Sequence, residues 1–384
     1  MSAAAAGVGR LIARKEVVIC AGSGGVGKTT TSAAIAAGVA AQGRSAAVLT
    51  IDPAKRLANS LGLSELGNEE RQVDPVLLDA AGLGGEGELW AMMLDAKRTF
   101  DEVVETHAPD DATRDAVLSN PIYRELSNTV AGSQEYMAME KLHQLHLEGR
   151  YDLLVLDTPP TRNALDFLDA PERLSRFIDS RSLRLFLRGN RGSLKLLGRS
   201  SQALFAVLRR ITGVDLLEDM AEFFRSFGGM SEGFERRARE VNALLADGAR
   251  TTFVVVASPA EEAVDEAIFF RRRLRESGLP FGAAVVNRVH SAPGAMADPG
   301  LQGELVELVG ENLARRVVRN DGDWRALAER DRLGLERLAA ELEGELLVRV
   351  PDLDDDVHDL DGLVRVNEHL FASETTSRRR ARLA

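Results

Sequence analysis

The feature that most constrains this chain is a glycine-rich stretch between residues 17 and 31, VVICAGSGGVGKTTT. An apolar run leads into the glycines, and small residues with a helical pattern follow Lys28. The stretch fits G-x-x-x-x-G-K-[ST], in which the backbone N–H groups of a strand-to-helix turn surround a phosphate. Glycine permits this backbone without Cβ clashes, and the N-terminus of the next helix adds partial positive charge. The sequence therefore predicts a nucleotide-phosphate site, since a glycine turn without a ligand would leave the lysine and threonine unexplained.

Four side chains in and after this pattern can carry chemistry. Lys28 is expected to reach the β- and γ-phosphates of a nucleotide, and the Thr29 hydroxyl is expected to bind Mg²⁺. Asp52 and Asp157 directly follow apolar runs, and the carboxyl ends of parallel strands face the ligand. Asp157 suits the binding of a Mg²⁺-coordinated water, and Asp52 suits the positioning of the attacking water. Either aspartate can instead cap a helix or start a turn, as Asp-Pro at Asp52-Pro53 often does.

Composition narrows the class of protein. The chain has 384 residues, 45% hydrophobic and 28% charged, as in globular proteins. Its net charge of −11 argues against general nucleic-acid binding, which requires a basic surface. Cys20 is the single cysteine and is expected in the core, so an internal disulfide, a Cys-x-x-Cys zinc clamp and a cysteine-based metalloid site are excluded. Without a long apolar run or a secretory leader pattern, we expect a soluble cytoplasmic protein.

Apolar runs alternate with helical patterns along the rest of the chain. Uniformly apolar runs are typical of parallel strands that helices cover on both faces. After the first, such runs occur at residues 45–51, 88–94, 151–156, 251–257, 283–287 and 346–350. The sequence therefore predicts an α/β fold: a P-loop NTPase with a mainly parallel, doubly wound sheet and a helical insertion subdomain.

Two long strandless stretches define that insertion. Residues 95–149 and 161–247 show helical patterns and are too long for simple crossovers between strands. We predict a single domain over residues 1–384 in which these stretches form the helical subdomain. The core sheet is predicted within residues 15–94, 150–160 and 250–370. The arginine-rich tail, 373–384, is predicted to be flexible.

Five stretches together resemble the arsenical-pump-driving (ArsA) and tail-anchored-protein-targeting ATPases, within the wider deviant Walker A class. They are residues 22–30 (GSGGVGKTT), 50–54 (TIDPA), 157–161 (DTPPT), 254–262 (VVVASPAEE) and 285–288 (VVNR). Their order and spacing cover most of the chain as a single copy. The resemblance implies a cytoplasmic Mg²⁺-dependent ATPase whose nucleotide state switches a dimer and so gates binding of a protein client or membrane partner. It also implies that Asp52 is the catalytic aspartate, acting with Lys28, and that Thr29 and Asp157 serve the Mg²⁺ ion, Asp157 through water.

The same resemblance implies a set of nucleotide contacts. Asn287 would read the adenine, and Pro351 would border the adenine pocket. The whole implied set is Gly22, Ser23, Gly24, Gly25, Val26, Gly27, Lys28, Thr29, Thr30, Asn287 and Pro351. A GTPase is disfavoured because no Asn-Lys-x-Asp guanine motif occurs.

Ser23 departs from the family pattern. The deviant class has a signature lysine at this position that reaches across a dimer to the partner's phosphates, whereas serine carries no charge to offset that of the transferring phosphoryl group. One interpretation is a slow homodimeric enzyme in which Lys28 and Mg²⁺ suffice. The other is a heterodimer with an ArsA-like subunit that keeps the lysine, in which this chain is a regulatory ATP-binding subunit with weak activity alone.

The helical insertion carries a basic segment, with eight basic and no acidic residues between Arg181 and Arg210. This segment is either a solvated helix face or a surface for anionic lipid headgroups or an acidic partner. Phenylalanines between Phe223 and Phe234 are either ordinary core or, as the resemblance implies, part of a groove for a hydrophobic client helix.

Overall fold

The computed structural model describes residues 7–52, 55–121, 123–124, 133–159, 223, 231–292 and 299–371. The chain divides into two compact units. The first takes in residues 1–93, 149–164 and 245–384, and the second residues 94–148 and 165–244. The basic segment at 181–210, the 157–161 stretch beyond Pro159, and the tail at 373–384 lie outside the described residues.

The first unit is built on an eight-stranded sheet in the order β3-β4-β2-β5-β1-β6-β7-β8. The strands are β1 (Val17–Ala21), β2 (Ala46–Thr50), β3 (Arg71–Gln72), β4 (Leu89–Met93), β5 (Leu153–Asp157), β6 (Thr251–Ala257), β7 (Phe281–Val289) and β8 (Leu346–Pro351). Among these strands, only β3 pairs antiparallel with its neighbour. The strands β1, β2, β5 and β6 are buried along their whole length, which explains their continuous apolar sequences. The predicted parallel α/β fold is confirmed.

The described residues form these helices in chain order: α1 (Val8–Ile12), α2 (Lys28–Ala40), α3 (Arg56–Ser60), α4 (Pro75–Ala80), α5 (Ala96–His107), α6 (Asp111–Ser119), α7 (Ser133–Glu148), α8 (Ser231–Ala246), α9 (Glu261–Glu276), α10 (Pro299–Val309), α11 (Glu311–Glu341) and α12 (Leu360–Leu370). The helices α5, α6 and α7 belong to the second unit, with α8 as far as Leu244. The remaining helices belong to the first unit. None of the helices in the described part of the chain is long and apolar enough to cross a membrane.

The helix α2 carries the glycine-rich loop at its start and is held by close packing against α12. A Cβ atom on Gly38 would overlap the side chains of Asn367 and Phe371. The apolar residues of α2 join those of β1, β2, β5 and α12 in one buried cluster. The core of the first unit therefore fixes the position of α2 and, through it, of the loop.

The second unit is held partly by a buried ion pair. Arg237 Nε lies 2.7 Å from Glu140 Oε1, and both side chains are 7% exposed. The Tyr136 hydroxyl donates a hydrogen bond to the same carboxylate at 3.1 Å. This pair joins α7 to α8, two helices that are distant in sequence. Phe223 belongs to the phenylalanine series noted in the sequence. It contacts Tyr123 and is buried, at 3% exposure.

Element boundaries follow local signals where those are strong. Prolines at 109 and 121 favour helix breaks just before them, and α5 does end at His107 and α6 at Ser119. The strand β3 was not predicted. Its two residues are polar and exposed, so no hydrophobic period marks it, and only pairing with β4 makes it a strand.

Candidate functional site

The glycine-rich loop turns between β1 and α2 through backbone conformations that favour glycine. Gly22, Gly25 and Gly27 have φ values of 154°, 77° and 95°. A Cβ on Gly22 would collide with the Val256 carbonyl oxygen, and one on Gly27 would collide with the Asn287 amide. Gly27 is the N-cap of α2, so the loop ends at a helix N-terminus that can accept an anion.

Lys28 is held inside this turn. Its side chain is 7% exposed, and its Nζ donates to the Ser23 carbonyl oxygen at 2.7 Å. Burial lowers the pKa of Lys28, while the nearby carboxylates of Asp157 and Asp52 oppose that shift. A lysine in this position can donate to a phosphate oxygen seated in the loop.

Asp157 is the most buried carboxylate of the site. It is 1% exposed, and its Oδ2 accepts hydrogen bonds from Thr29 Oγ1 at 2.7 Å and Thr50 Oγ1 at 2.9 Å. Burial raises its pKa to about 6, against the opposing effects of the two hydroxyl hydrogen bonds and of Lys28. Its other oxygen, Oδ1, is buried and has no hydrogen-bond partner among the described residues.

The free Oδ1 of Asp157 is the atom that decides whether the site suits Mg²⁺. The ion prefers oxygen ligands and keeps several of its waters, so a carboxylate oxygen beside a threonine hydroxyl fits it. The described residues contain no cluster of three or more His, Cys, Asp or Glu side chains that would hold a metal unaided. The donor set therefore fits a Mg²⁺ ion that takes its remaining ligands from water and phosphate.

Asp52 lies just beyond the end of β2. Its backbone N–H donates to Thr50 Oγ1 at 3.2 Å, so the same threonine orders both aspartates. Its carboxylate lies 4.0 Å from Arg56 NH1, at the start of α3. This places a partly exposed carboxylate close to the buried one.

A cavity of about 450 Å³, called the main cavity below, brings most of the predicted residues together. The predicted residues that line it are Gly25, Gly27, Lys28, Thr29, Thr30, Asp52, Asn287 and Pro351. Sequence reasoning missed other lining residues: Arg56, Asn59, Ser60, Thr158, Arg288, Asp352, Leu353, Asp355, Asp356, Val357 and His358. Thr158 and Arg288 belong to the 157–161 and 285–288 stretches but had been given no role, and the others belong to none of the five stretches.

The remaining loop residues face elsewhere. Ser23, Gly24 and Val26 line a second cavity of about 610 Å³, which also includes Gly25 and Arg288. Ser23 Oγ is buried there without a hydrogen-bond partner in the described part of the chain. The two cavities therefore adjoin at Gly25 and Arg288, which line both.

Asn287 connects the end of β7 to the loop. Its Nδ2 donates to the Val26 carbonyl oxygen at 3.1 Å, and its side chain also lines the main cavity. Pro351, at the end of β8, lines the same cavity. The two residues expected beside the base therefore come from neighbouring strands.

Comparison with known proteins agrees with this geometry. Residues 15–297 match the family model described as anion-transporting ATPase (ArsA). The ATPase GET3 of Malassezia globosa is 27% identical over 284 residues, covering 73% of this chain and 75% of the relative. The ATPase ARSA1 of Chlamydomonas reinhardtii is 29% identical over 302 residues, covering 72% of this chain and 35% of the relative. A putative arsenical pump-driving ATPase of Halobacterium salinarum is 34% identical over 167 residues, covering 42% of this chain and 24% of the relative.

With most of its length matched by the family model, and with a glycine-rich loop of the geometry described above, the chain belongs to the anion-transporting (ArsA) ATPase family and is an ATPase.

Proposed function

We propose that the main cavity binds Mg²⁺–ATP and that hydrolysis there switches a dimer, which gates the binding of a protein client or a membrane partner in the cytoplasm. One observation carries the proposal for the site. Lys28, Thr29 and Asp52 line a single cavity, and Asp157 accepts a hydrogen bond from Thr29 beside them. These four side chains supply a phosphate-binding cation, metal ligands and a carboxylate for water.

Each residue has a role in this proposal. The N–H groups of residues 24–30 and the Lys28 ammonium hold the β- and γ-phosphates. Thr29 and the unused Oδ1 of Asp157 serve Mg²⁺, which neutralises charge that develops on the phosphates. Asp52, which lines the cavity, orients the attacking water. Asn287 and Pro351 border the adenine.

Ser23 favours a second candidate function. If the chain pairs with a related lysine-bearing subunit, the partner's lysine completes this chain's site, while Ser23 offers no charge to the partner's site. The chain would then be a regulatory ATP-binding subunit that turns over slowly alone. The observation that favours this candidate is that residue 23 of the glycine-rich loop is a serine, which carries no positive charge.

Replacement of Asp52 tests the catalytic proposal. We expect Asp52→Asn to lower ATP turnover about 100-fold or more while leaving nucleotide affinity within a few-fold, because the amide cannot act as a base for water. Steady-state phosphate release, measured with and without a lysine-bearing partner, provides the readout. Asp74→Asn is the matched control, since Asp74 caps α4 through a hydrogen bond to Val76 N and asparagine caps equally well.

Two results would separate the candidates. Equal turnover of wild type and Asp52→Asn under every condition would show that Asp52 is not catalytic. Wild-type turnover that the partner leaves unchanged would exclude the regulatory-subunit function.

A further inference from the structure

Arg288 has an unusual backbone for its residue type. Its φ is +60°, in the left-handed region that favours glycine, and within the described chain it shares a positive φ outside glycine only with Glu343. Strained residues of this kind persist where the surrounding structure holds them and are common at ligand sites. The sequence does not predict this positive φ, because arginine is an ordinary surface residue.

The strain arises where β7 leaves the sheet. The pairing of β7 with β8 shifts register between Val286 and Val289, which leaves Asn287 and Arg288 in a bulge. Bulges redirect side chains at sheet ends. Asn287 is tied to the Val26 carbonyl oxygen of the loop, so the Arg288 backbone is fixed relative to the loop.

The Arg288 side chain lines both the main cavity and the second cavity. In the described part of the chain, its guanidinium pairs with Asp356, at 3.8 Å from Nη2 to Oδ1. The two side chains are 56% and 92% exposed, and such exposed pairs are weak. The guanidinium can therefore exchange this carboxylate for a stronger anion.

We propose that Arg288 is a nucleotide-binding residue: its guanidinium leaves Asp356 and pairs with the β- or γ-phosphate of ATP bound in the main cavity. Arginine suits this role because its planar donors match two phosphate oxygens. The other Lys and Arg residues that line the main cavity are Lys28, whose proposed phosphate role is given above, and Arg56, which lies near Asp52. Asp356 acts as a weak competitor that holds the guanidinium at the cavity until phosphate arrives. This inference rests on the proposed function, since it requires ATP to occupy the main cavity.

Replacement by glycine removes the charge without adding backbone strain. Arg288→Gly removes the guanidinium and also relieves the positive φ, so we expect an unchanged or higher melting temperature. The affinity for a non-hydrolysable ATP analogue, measured with Mg²⁺ present, should fall about tenfold. This is the effect of losing one charged hydrogen-bonding partner. Affinity for AMP should change less than about threefold if the contact is to the β- or γ-phosphate. Arg288→Lys should recover part of the lost affinity.

Calorimetric titration of the full chain with both nucleotides gives these affinities. Arg315→Ala is the matched control, because Arg315 is an exposed arginine paired with Glu311 on α11. Asp356→Asn should raise affinity for the ATP analogue about twofold by removing the competitor. Equal losses for the ATP analogue and AMP would overturn the phosphate contact, and unchanged affinity in Arg288→Gly would overturn any nucleotide contact.

Lys28→Ala distinguishes failure of this inference from failure of the proposed function. If Lys28→Ala binds the ATP analogue as wild type does, the main cavity is not the ATP site, and both proposals fail. If Lys28→Ala loses binding while Arg288→Gly keeps it, only the role of Arg288 is wrong.

Discussion

At the scale of single residues, Asp157 combines structural and functional demands. Two threonine hydroxyls bind one of its oxygens, while the other is left for a ligand. Burial makes its ionisation costly in the ligand-free protein, which is why its pKa rises to about 6. A cation bound beside it would recover that cost.

Asp157→Asn should therefore stabilise the ligand-free protein at pH 7. The folded-state pKa of about 6 lies above the unfolded value near 3.8, so stability contributed by this carboxyl falls as pH rises between those values and is fully lost above pH 6. We expect a gain of roughly 1–3 kcal/mol at pH 7 and about none at pH 4, with loss of Mg²⁺-dependent ATP turnover. Denaturant unfolding at both pH values measures the difference.

A stability gain that is the same at both pH values would contradict this account, because it would not come from the ionised carboxylate. A loss of stability at pH 7 would show that the hydroxyl hydrogen bonds outweigh the cost of burial.

At the scale of elements, the packing of α2 against α12 positions the loop. A side chain at Gly38 would overlap Asn367 of α12 and Phe371 just beyond it. The helix that starts at the phosphate-binding loop thus depends on a glycine ten residues further on. Such a contact has no motif of its own.

Gly38→Ala should destabilise the protein by about 1–2 kcal/mol. Alanine favours a helix over glycine by about 1 kcal/mol, but overpacking a tight interface costs more than this gain. Gly322→Ala is the matched control, since Gly322 also lies inside a helix, α11, and has open space around it. There we expect a small gain in the free energy of unfolding, measured by urea denaturation. Equal effects at the two positions would show that the Gly38 contact relaxes freely.

At the scale of the whole molecule, the proposed ATP site and the helical insertion belong to different compact units. Every residue that lines the main and second cavities lies in the first unit. The second unit has a core of its own, which includes the buried Glu140–Arg237 pair. The proposed ATP site and the helical insertion are therefore built on separate cores.

Ser23→Lys tests whether the missing charge limits the isolated chain. The second cavity, at about 610 Å³, has room for the longer side chain, and two copies of the variant could exchange lysines. We expect ATP turnover of the isolated chain to rise about tenfold or more, because a cation would then offset charge on the transferring phosphoryl group. Ser258→Lys is the control, since it adds the same charge to the same cavity from outside the loop. Unchanged turnover in Ser23→Lys would mean that Lys28 and Mg²⁺ already suffice.

The sequence alone determined the features that depend on local spacing. The glycine-rich loop, the buried parallel strands, the core position of Cys20 and the helix breaks before prolines were all predictable. These features follow from backbone sterics and hydrophobic periodicity, which act over a few neighbouring residues. The two aspartates were predictable as well, because the end of a parallel strand has a known relation to the ligand.

The tertiary structure decided what depends on contacts between distant segments. Sheet order brings Thr50 and Thr29 to the same oxygen of Asp157. A register shift between β7 and β8 gives Arg288 its strained backbone and its place between two cavities. No local pattern encodes these arrangements, because each requires the strand order and the packing of the core to be fixed first.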